Sequence, residues 1–318
     1  MTLLPPLGRV RASVAILCVI ALAIWAAGRL LNDRWLGTQA LFWVPSILTL
    51  IPSWLLVAAL WKRGALRHPG TIAALGLAAG LSAWLFMVEH RPLRRGPTTP
   101  AETPGLRIYH RNLHWPNRRA APALLEAIID RSDDLILLTE PGWLLLEERG
   151  KALIEAGWIL VRSGRYAILS HIPILEVRSL VRRHDLDITM LRVDASSRGL
   201  GALTIALVDL PSNPLIGRMN LARELRYVLD QELAPDFDIA VGDFNATRGS
   251  AAIAALFPGM RHAWDDAGRG WSGSWPSPLP LWHIDHVLLG PELRATDHRL
   301  LGDRILRHRA QEAVIERR

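Results

Sequence analysis

Three long apolar stretches in the first ninety residues constrain the fold more than any other feature of the sequence. They run from Ala12 to Gly28, from Thr38 to Trp61 and from Thr71 to Val88, and the second contains no charged residue. Each is close to the roughly 20 residues that a helix needs to cross a bilayer. Three such stretches in succession exceed what a soluble core usually contains. The sequence therefore predicts three transmembrane helices, at about residues 12–31, 38–61 and 71–88.

The first stretch has one alternative interpretation, a cleaved signal peptide whose charged start is Arg9 and Arg11. Two further apolar stretches directly behind it favour a membrane region instead. The loop charges do not decide the orientation, because five Lys and Arg residues would lie on each side of the membrane. Since Arg9 and Arg11 precede the first span, we expect the N-terminus inside. The C-terminal domain would then be external or periplasmic to a bacterial inner or plasma membrane.

The net positive charge of the chain lies in its first 104 residues. The formal net charge is +7, and residues 1–104 hold 10 basic and three acidic side chains, so that residues 105–318 are neutral. Basic residues beside apolar spans suit lipid headgroups, whereas binding to nucleic acid usually depends on many Lys and Arg contacts. Cys18 is the only cysteine, which excludes an intrachain disulfide and a thiolate metal site.

Residues 91–104 are rich in Pro, Thr and charge, which is typical of an extended linker. They separate the membrane region, residues 1–90, from a domain at residues 105–318. In that domain, short strands alternate with a few amphipathic helices. The predicted strands are Leu106–Tyr109, Asp134–Thr139, Trp158–Arg162, Arg165–Ser170, Leu175–Val181, Ile188–Val193, Leu203–Val208, Phe237–Val241, Ile284–Leu289 and Leu300–Leu306, and the predicted helices are Arg119–Arg131, Leu144–Ala156 and Arg218–Leu233. Runs of adjacent strands favour an α+β fold or a two-sheet sandwich faced by helices over a doubly wound parallel sheet.

The run from Asp238 to Asn245 reads as a buried strand that Gly242 ends. Asp243 and Asn245 then emerge two residues apart and point the same way. A carboxylate and an amide on one face can hold a water molecule or a phosphate oxygen beside a metal ion. An ordinary loop is the simpler interpretation of this turn taken alone.

Other polar residues also interrupt the pattern near strand ends. They are Asn112, Glu140, Asp285, Asp297 and His298. Each has a simpler interpretation by itself: Glu140 is a possible helix cap, and His298 a surface histidine. Three other histidines near strand ends are interpreted as solvated loop residues. These are His110, His114 and His171.

The order of these residues resembles the endonuclease/exonuclease/phosphatase superfamily of metal-dependent hydrolases over about residues 105–310. The most specific parts are Gly242–Asn245, Ile284–His286 and the pair Asp297–His298. Ser274-Trp275-Pro276 is similar to a tripeptide of the membrane-associated bacterial members, which often carry three N-terminal spans. The resemblance implies an α+β fold, a DNase I-like two-sheet β-sandwich flanked by helices and preceded here by three transmembrane helices.

The resemblance also implies a metal site. Glu140 would be the principal Mg²⁺ ligand, Asn112 would orient it or a phosphate oxygen, and Asp297 would support the metal. Hard oxygen donors suit Mg²⁺, with Mn²⁺ as a possible substitute, and a divalent cation neutralises the charge that develops during attack on a phosphoester.

The remaining implied roles concern the attack itself. Asp243 and Asn245 would position the water and the phosphate. His298 would lie beside the scissile phosphate, oriented by Asp285, because such a carboxylate holds an imidazole in one tautomer and stabilises its charged form. Whether the histidine acts as a base or as a phosphate clamp stays open.

The chain departs from the family pattern at Asp209, where many members carry a histidine. An Asp there is a possible protonated general acid or metal ligand, and it is also a possible cause of a weakened site. After the pair Asp297–His298, Arg299 matches the family but Leu300 does not.

The sequence thus predicts a membrane-anchored, metal-dependent phosphoesterase acting on a lipid-linked or periplasmic phosphate. Its expected partners are membrane lipids and a phosphoester substrate, with nucleic acid possible but less favoured. The alternatives are an anchored nuclease and a phosphate-binding domain whose catalysis Asp209 has weakened.

Overall fold

The structure, a computed structural model, describes most of the chain. The described residues are 6–62, 64–94, 105–114, 119, 121–145, 147–232, 236–302 and 305–318. The chain divides into two compact units, Met1–Pro92 and Leu93–Arg318. Most of the predicted linker at 91–104 lies outside the described residues.

The N-terminal unit contains two helices that are long and apolar enough to cross a membrane, Gly8–Leu31 and Pro69–Glu89. The second predicted span is broken: Leu36–Phe42 and Ser46–Leu60 meet at an angle of 67°. Pro45 lies at the break in an extended conformation, where its missing N–H cannot continue the helical hydrogen bonds. Among the described residues, the predicted three spans thus correspond to two continuous helices, and to a third span only if the bent pair counts as one. The helices of this unit are α1 (Pro6–Leu31), α2 (Leu36–Phe42), α3 (Leu50–Leu60) and α4 (Pro69–Trp84).

The C-terminal unit contains two mixed β-sheets. The strands are β1 (Leu106–Asn112), β2 (Leu135–Thr139), β3 (Ile159–Ser163), β4 (Tyr166–Ser170), β5 (Ile174–Arg183), β6 (Leu186–Asp194), β7 (Ala202–Asp209), β8 (Ile239–Asp243), β9 (Arg261–His262), β10 (Gly268–Arg269), β11 (Asp285–Leu289), β12 (Leu293–Leu301) and β13 (Ala310–Arg317). One sheet has the order β10-β12-β13-β1-β2-β4-β3, and the other has the order β5-β6-β7-β8-β11-β9. The helices are α5 (Ala121–Ile129), α6 (Glu147–Glu155), α7 (Arg218–Gln231), α8 (Ala251–Leu256) and α9 (Ala263–Ala267).

The main core lies between the two sheets. Ile108 and Leu137 of the first sheet share one apolar cluster with Leu207, Val241 and Val287 of the second. The outer face of the first sheet packs against α5, and the outer face of the second packs against α7 and α8. Because both faces of each sheet are covered, β2, β8 and β11 are buried along their whole length. The predicted two-sheet sandwich flanked by helices is confirmed.

Gly242 allows β7 and β8 to pair where the side chains of the site emerge. It lies opposite Val208 in this parallel pair, and a Cβ atom at Gly242 would lie 1.8 Å from the Val208 carbonyl oxygen. No residue with a side chain fits so close an approach. The last residues of the two strands, Asp209 and Asp243, are consequently direct neighbours.

The end of the chain differs from the prediction. The strand predicted at Leu300–Leu306 is wrong: β12 ends at Leu301, and a second strand, β13, follows from Ala310. β13 pairs with β12 on one side and with β1 on the other. Its sequence, AQEAVIER, alternates too weakly to signal a strand by periodicity. The predicted helix Leu144–Ala156 begins only at Glu147, after a 3₁₀ turn.

Candidate active site

The polar residues of the site emerge where strands of both sheets end. β1 and β2 run parallel and pair Asn112 with Thr139 at their ends, directly before Glu140. In the other sheet, Asp209, Asp243 and Asp285 lie opposite one another on β7, β8 and β11. Three buried carboxylates at neighbouring positions repel one another, so this arrangement requires positive charge beside it.

Asp243 joins the two groups of strand ends. Its Oδ2 accepts a hydrogen bond of 2.9 Å from Asn112 Nδ2. Asn112 Oδ1 in turn accepts from the backbone N–H of His114. The structure thus brings Asn112 into the predicted site, where its amide contacts Asp243.

The histidine beside these carboxylates is His308. Its Nδ1 lies 3.0 Å from Oδ2 and 3.3 Å from Oδ1 of Asp285, and 3.9 Å from Oδ2 of Asp243. The predicted pairing of Asp285 with His298 is therefore wrong, because His308 occupies that position.

His298 and Asp297 lie elsewhere, within β12. Asp297 accepts two hydrogen bonds from the guanidinium of Arg269, at 2.7 and 2.9 Å, so its charge is already paired. The ring of His298 packs edge-on against Trp264. In the described part of the chain neither residue contacts Asp243 or Asp285. The prediction that Asp297 supports the metal site is therefore wrong, because Asp297 binds Arg269 instead.

The sequence contained one signal for His308. It lies just before β13, the last strand in the chain. The other site residues were predicted because they are polar residues at strand ends, and His308 meets the same criterion. Because β13 was not predicted from the sequence, His308 did not lie at a predicted strand end. Asp297 and His298, which are adjacent in sequence, matched the Asp-His pair of the family and were taken for it instead.

The tripeptide Ser274-Trp275-Pro276 holds the two segments of this histidine–carboxylate pair together. The hydroxyl oxygen of Ser274 accepts from the backbone N–H groups of Ile284 and Asp285. The carbonyl oxygen of Ser274 accepts from the N–H of Arg309, next to His308. Ser274 is fully buried, so its contacts fix the separation of Asp285 and His308.

Two residues of the site have left-handed backbone conformations, Glu140 with φ 50° and Asn245 with φ 45°. Residues other than glycine adopt this region at a cost, and such strain concentrates at functional sites. The N–H of Asn245 donates to Asp243 Oδ1, and its side-chain amide donates to the carbonyl oxygen of Leu210. The N–H of Glu140 donates to the carbonyl oxygen of Arg165. These bonds hold both strained turns.

Buried Arg218 supports the loops around Asn245. Its guanidinium donates to the carbonyl oxygens of Asn245 and Pro211. Because it begins α7, this helix is fixed to the loops that follow Asp209 and Asp243.

Arg165 bridges two carboxylates of the site. Its Nη2 contacts Glu140 Oε1, and its Nε contacts Asp209 Oδ2. The other carboxylate oxygen of Glu140 lies 3.4 Å from Nδ1 of exposed His114. Asp209 therefore lies in the site, as predicted, with a guanidinium as its partner.

The carboxylates raise the proton affinity of one another and of His308. Burial and then the charge of Asp285 raise the pKa of Asp243 to about 7, and burial and the charge of Asp243 raise the pKa of Asp209 to about 8. Burial works against the charged form of His308, but Asp285 and Asp243 outweigh it and raise the pKa of His308 to about 9. The site accordingly holds a charged imidazole at neutral pH.

A divalent cation fits the remaining charge. Four carboxyl groups face two cationic side chains, Arg165 and His308, and when all four are ionised they leave two formal negative charges, a state that a bound cation favours. The carboxyl groups are those of Glu140, Asp209, Asp243 and Asp285. Carboxylate oxygens of Asp243 and Asp285 lie within 4.8 Å of one another and of a ring nitrogen of His308, and the charged imidazole would stand beside the cation without binding it. Mainly hard oxygen donors with this excess charge suit a hard divalent ion.

The three histidines that the sequence analysis interpreted as solvated loop residues differ in their burial. His110 is buried in β1, between the hydroxyl of Thr139 and the amide of Gln311, so its interpretation as a solvated residue is wrong. His114 and His171 are exposed, as expected.

Comparisons with known proteins agree with this architecture. A model of the endonuclease/exonuclease/phosphatase family matches residues 108–305. An endonuclease/exonuclease/phosphatase from Bacteroides vulgatus superposes with a TM-score of 0.52 at 14% identity, covering 68% of this chain and 100% of its own. D. rerio TDP2, solved with a single-strand DNA product, superposes with a TM-score of 0.50 at 16% identity, covering 66% of this chain and 98% of its own. No curated protein matches the sequence.

The fold and the family model together define a hydrolase of phosphoric esters. The chain belongs to the endonuclease/exonuclease/phosphatase family, whose enzymes generally depend on a divalent metal.

Proposed function

We propose that this protein is a membrane-anchored, Mg²⁺-dependent phosphoesterase that acts on a lipid-linked or periplasmic phosphate. The observation that carries the proposal is the group of four carboxylates at the strand ends, whose excess of two negative charges fits a divalent cation next to the charged His308. A phosphoester also requires such positive charge, because the reacting group is anionic.

Asp243 and Asp285 are the carboxylates that would hold the cation, with Asn112 orienting Asp243. Glu140 would be a further ligand, as the family resemblance implies. Mg²⁺ binds through one or two carboxylates and keeps several waters, and Mn²⁺ would fit the same donors. When bound, the cation neutralises charge on the phosphoryl oxygens.

Asp243 is suited to take a proton from the attacking water. Its pKa is raised to about 7, near the pH at which a general base is most effective. The backbone and amide N–H groups of Asn245 are bonded to Asp243 and Leu210, which leaves its amide oxygen to orient the water.

His308 supplies a positive charge on the same side of the site. Asp285 binds its Nδ1 and thereby fixes the ring and favours the charged form. The second ring nitrogen then carries a proton for a phosphoryl oxygen or for the leaving oxygen.

The substrate class is inferred from the rest of the chain. The two long apolar helices are fit to anchor the protein in a bilayer, and residues 105–318 carry no net charge. Bulk nucleic acid is usually bound through many Lys and Arg contacts, so a phosphate carried by a lipid or free in the periplasm suits this domain better. Arg9 and Arg11 at the start of the first helix favour an external domain.

The test uses the full chain in detergent micelles with Mg²⁺, on p-nitrophenyl phosphate, bis-p-nitrophenyl phosphate, phosphatidic acid and supercoiled plasmid. We expect release of phosphate or nitrophenol that EDTA abolishes and Mg²⁺ restores. Glu140→Gln should lower kcat/KM by at least about 100-fold, since it removes one of the carboxylates that would hold the cation. Arg226→Ala is the control, because Arg226 forms an exposed ion pair with Asp230 of the same helix, α7, and has no contact with the site among the described residues.

Three outcomes would contradict the proposal in different ways. Full activity of Glu140→Gln refutes the site. Plasmid nicking without turnover of the other substrates indicates an anchored nuclease. Measurable Mg²⁺ binding without turnover of any substrate indicates a phosphate-binding domain.

A further inference from the structure

Arg165 is held by its backbone at the junction of the two sheets. It follows Gly164, which has φ 55° in the tight turn between β3 and β4. The N–H of Arg165 donates to Asp187 Oδ2 of β6, and its carbonyl oxygen accepts from Glu140 at the end of β2. The position from which the side chain starts is therefore fixed by both sheets.

The guanidinium of Arg165 is directed into the site and still has free donors. It contacts Asp209 through Nε and Glu140 through Nη2, and Nη1 donates to the carbonyl oxygen of His184 at 3.0 Å. An arginine has five N–H groups, so one N–H on each terminal nitrogen has no acceptor among the described residues.

The exposed member of this ion-paired group is the cation. The side chain of Arg165 is 23% exposed, whereas those of Glu140 and Asp209 are 9% and 4% exposed. The guanidinium is therefore the member of this group that a bound anion can reach most readily.

We propose that Arg165 binds a phosphoryl oxygen of the substrate and that Asp209 anchors it for this purpose. This inference rests on the proposed phosphoesterase function. A planar guanidinium presents paired N–H donors that match the geometry of a phosphate. Asp209 bonds its Nε and leaves donors of the terminal nitrogens available, so Asp209 fixes the guanidinium while its remaining N–H groups can still bind a phosphoryl oxygen.

The pair explains the departure at position 209. The carboxylate of Asp209 cannot itself donate a positive hydrogen bond to phosphate, as a histidine at that position can. Arg165, from another strand, provides that charge next to the same strand end. Asp209 is thus a positioning residue, and the expectation that its presence weakens the site does not follow.

The test compares Arg165→Lys, Arg165→Gln and the double variant R165Q/D209H in the full chain in detergent. Inorganic phosphate is the probe: its inhibition constant and the rise in Tm that it produces are measured with Mg²⁺ present. Hydrolysis of p-nitrophenyl phosphate gives kcat and KM. Arg226→Ala is the matched control, and the Tm shift produced by Mg²⁺ alone reports that the cation site persists.

We expect Arg165→Gln to lose the phosphate-dependent Tm shift, to raise the inhibition constant of phosphate at least about tenfold and to lower kcat/KM about 100-fold. Arg165→Lys should keep part of each, because it keeps the charge but not the fork. R165Q/D209H should recover at least about tenfold in kcat/KM over Arg165→Gln, since an imidazole returns a donor to the site.

An unchanged phosphate inhibition constant and Tm shift in Arg165→Gln would overturn the inference. A failure of the wild-type chain to hydrolyse any phosphoester would instead overturn the proposed function. In that case, loss of the phosphate-dependent Tm shift in Arg165→Gln would still support phosphate binding by Arg165.

Discussion

His298 lies in β12 and His308 just before β13, and both are buried, yet their surroundings give them opposite charge states. Burial lowers the pKa of His298 to about 4, and the neighbouring carboxylate of Asp297 opposes this shift without overcoming it; that carboxylate is also bonded to Arg269. At His308, Asp285 and Asp243 overcome the effect of burial and raise the pKa to about 9. A buried histidine therefore carries a usable charge only where carboxylates face it without a competing cation.

The largest difference is expected when each histidine is replaced by glutamine. His308→Gln should lower kcat/KM about 1000-fold, equivalent to ~4 kcal/mol, because the site loses its charged imidazole. His298→Gln should change kcat/KM less than about threefold and lower Tm instead, since it places an amide beside Trp264. Steady-state kinetics and thermal melts of both variants decide the matter, and a reversed order of the two losses would make His298 the histidine of the site.

Replacing the carboxylate beside each histidine, Asp285 or Asp297, should give a smaller difference in kcat/KM. Asp285→Asn should lower kcat/KM about 100-fold at pH 7, because burial then lowers the pKa of His308 with less to oppose it. Asp297→Asn should leave kcat/KM within about threefold and cost a modest amount of stability through Arg269. The pH–rate profile adds a separate readout: the alkaline limb of Asp285→Asn should move to lower pH, and an unmoved limb would contradict the coupling to His308.

The wild-type rate should depend on pH in a bell shape. kcat/KM should fall through about pH 9 as His308 loses its proton. On the acid side it should rise as Asp243 loses its proton, below the pH of about 7 that burial and Asp285 give in the metal-free site, because a bound cation favours the carboxylate. The paired interaction of His308 contributes stability that is fully present below pH 6.5 and is lost as the pH rises through about 9. A rate that stays constant from pH 6 to pH 10 would exclude both assignments.

The smallest expected effect is on stability, through the neutral histidines near His298. Burial lowers the pKa of His262 and of His286 to about 3, whereas both titrate near 6.5 when unfolded. Their contribution to stability is complete above pH 6.5 and is lost as the pH falls towards 3, by roughly 1 kcal/mol per histidine at pH 5.5. Thermal melts from pH 7 to pH 5 would show this loss, and His262→Phe should reduce it, whereas exposed His171→Gln should not.

The sequence was sufficient wherever a residue stood at either end of an apolar run that was buried on both faces. β2, β8 and β11 are such runs, so Glu140, Asp243 and Asp285 could be placed at strand ends before their contacts were known. The sequence was not sufficient at β13, because its polar residues interrupt the apolar pattern that would have predicted a strand there. In the structure, this strand lies between β1 and β12. With that strand missing, His308 had no structural position and His298 took its role.

Arg165 shows a second limit. Its contacts with Glu140 and Asp209 join residues that are 25 and 44 positions away in the sequence. No local pattern predicts such a contact, because it depends on how the two sheets pack together. In the second apolar stretch, Pro45 and Pro52 indicate a kink, but hydropathy alone does not give the angle between the two helical segments.

The amino-acid sequence by itself determined the apolar N-terminal region, the two-sheet fold and the carboxylates at the strand ends, because periodicity and breaks in apolar runs are local properties. Only the tertiary structure decided which histidine is charged and which cation accompanies Asp209. Those properties depend on what each buried group faces across the sheets, and the distances of a few ångströms that fix the electrostatics arise only when the strands are packed.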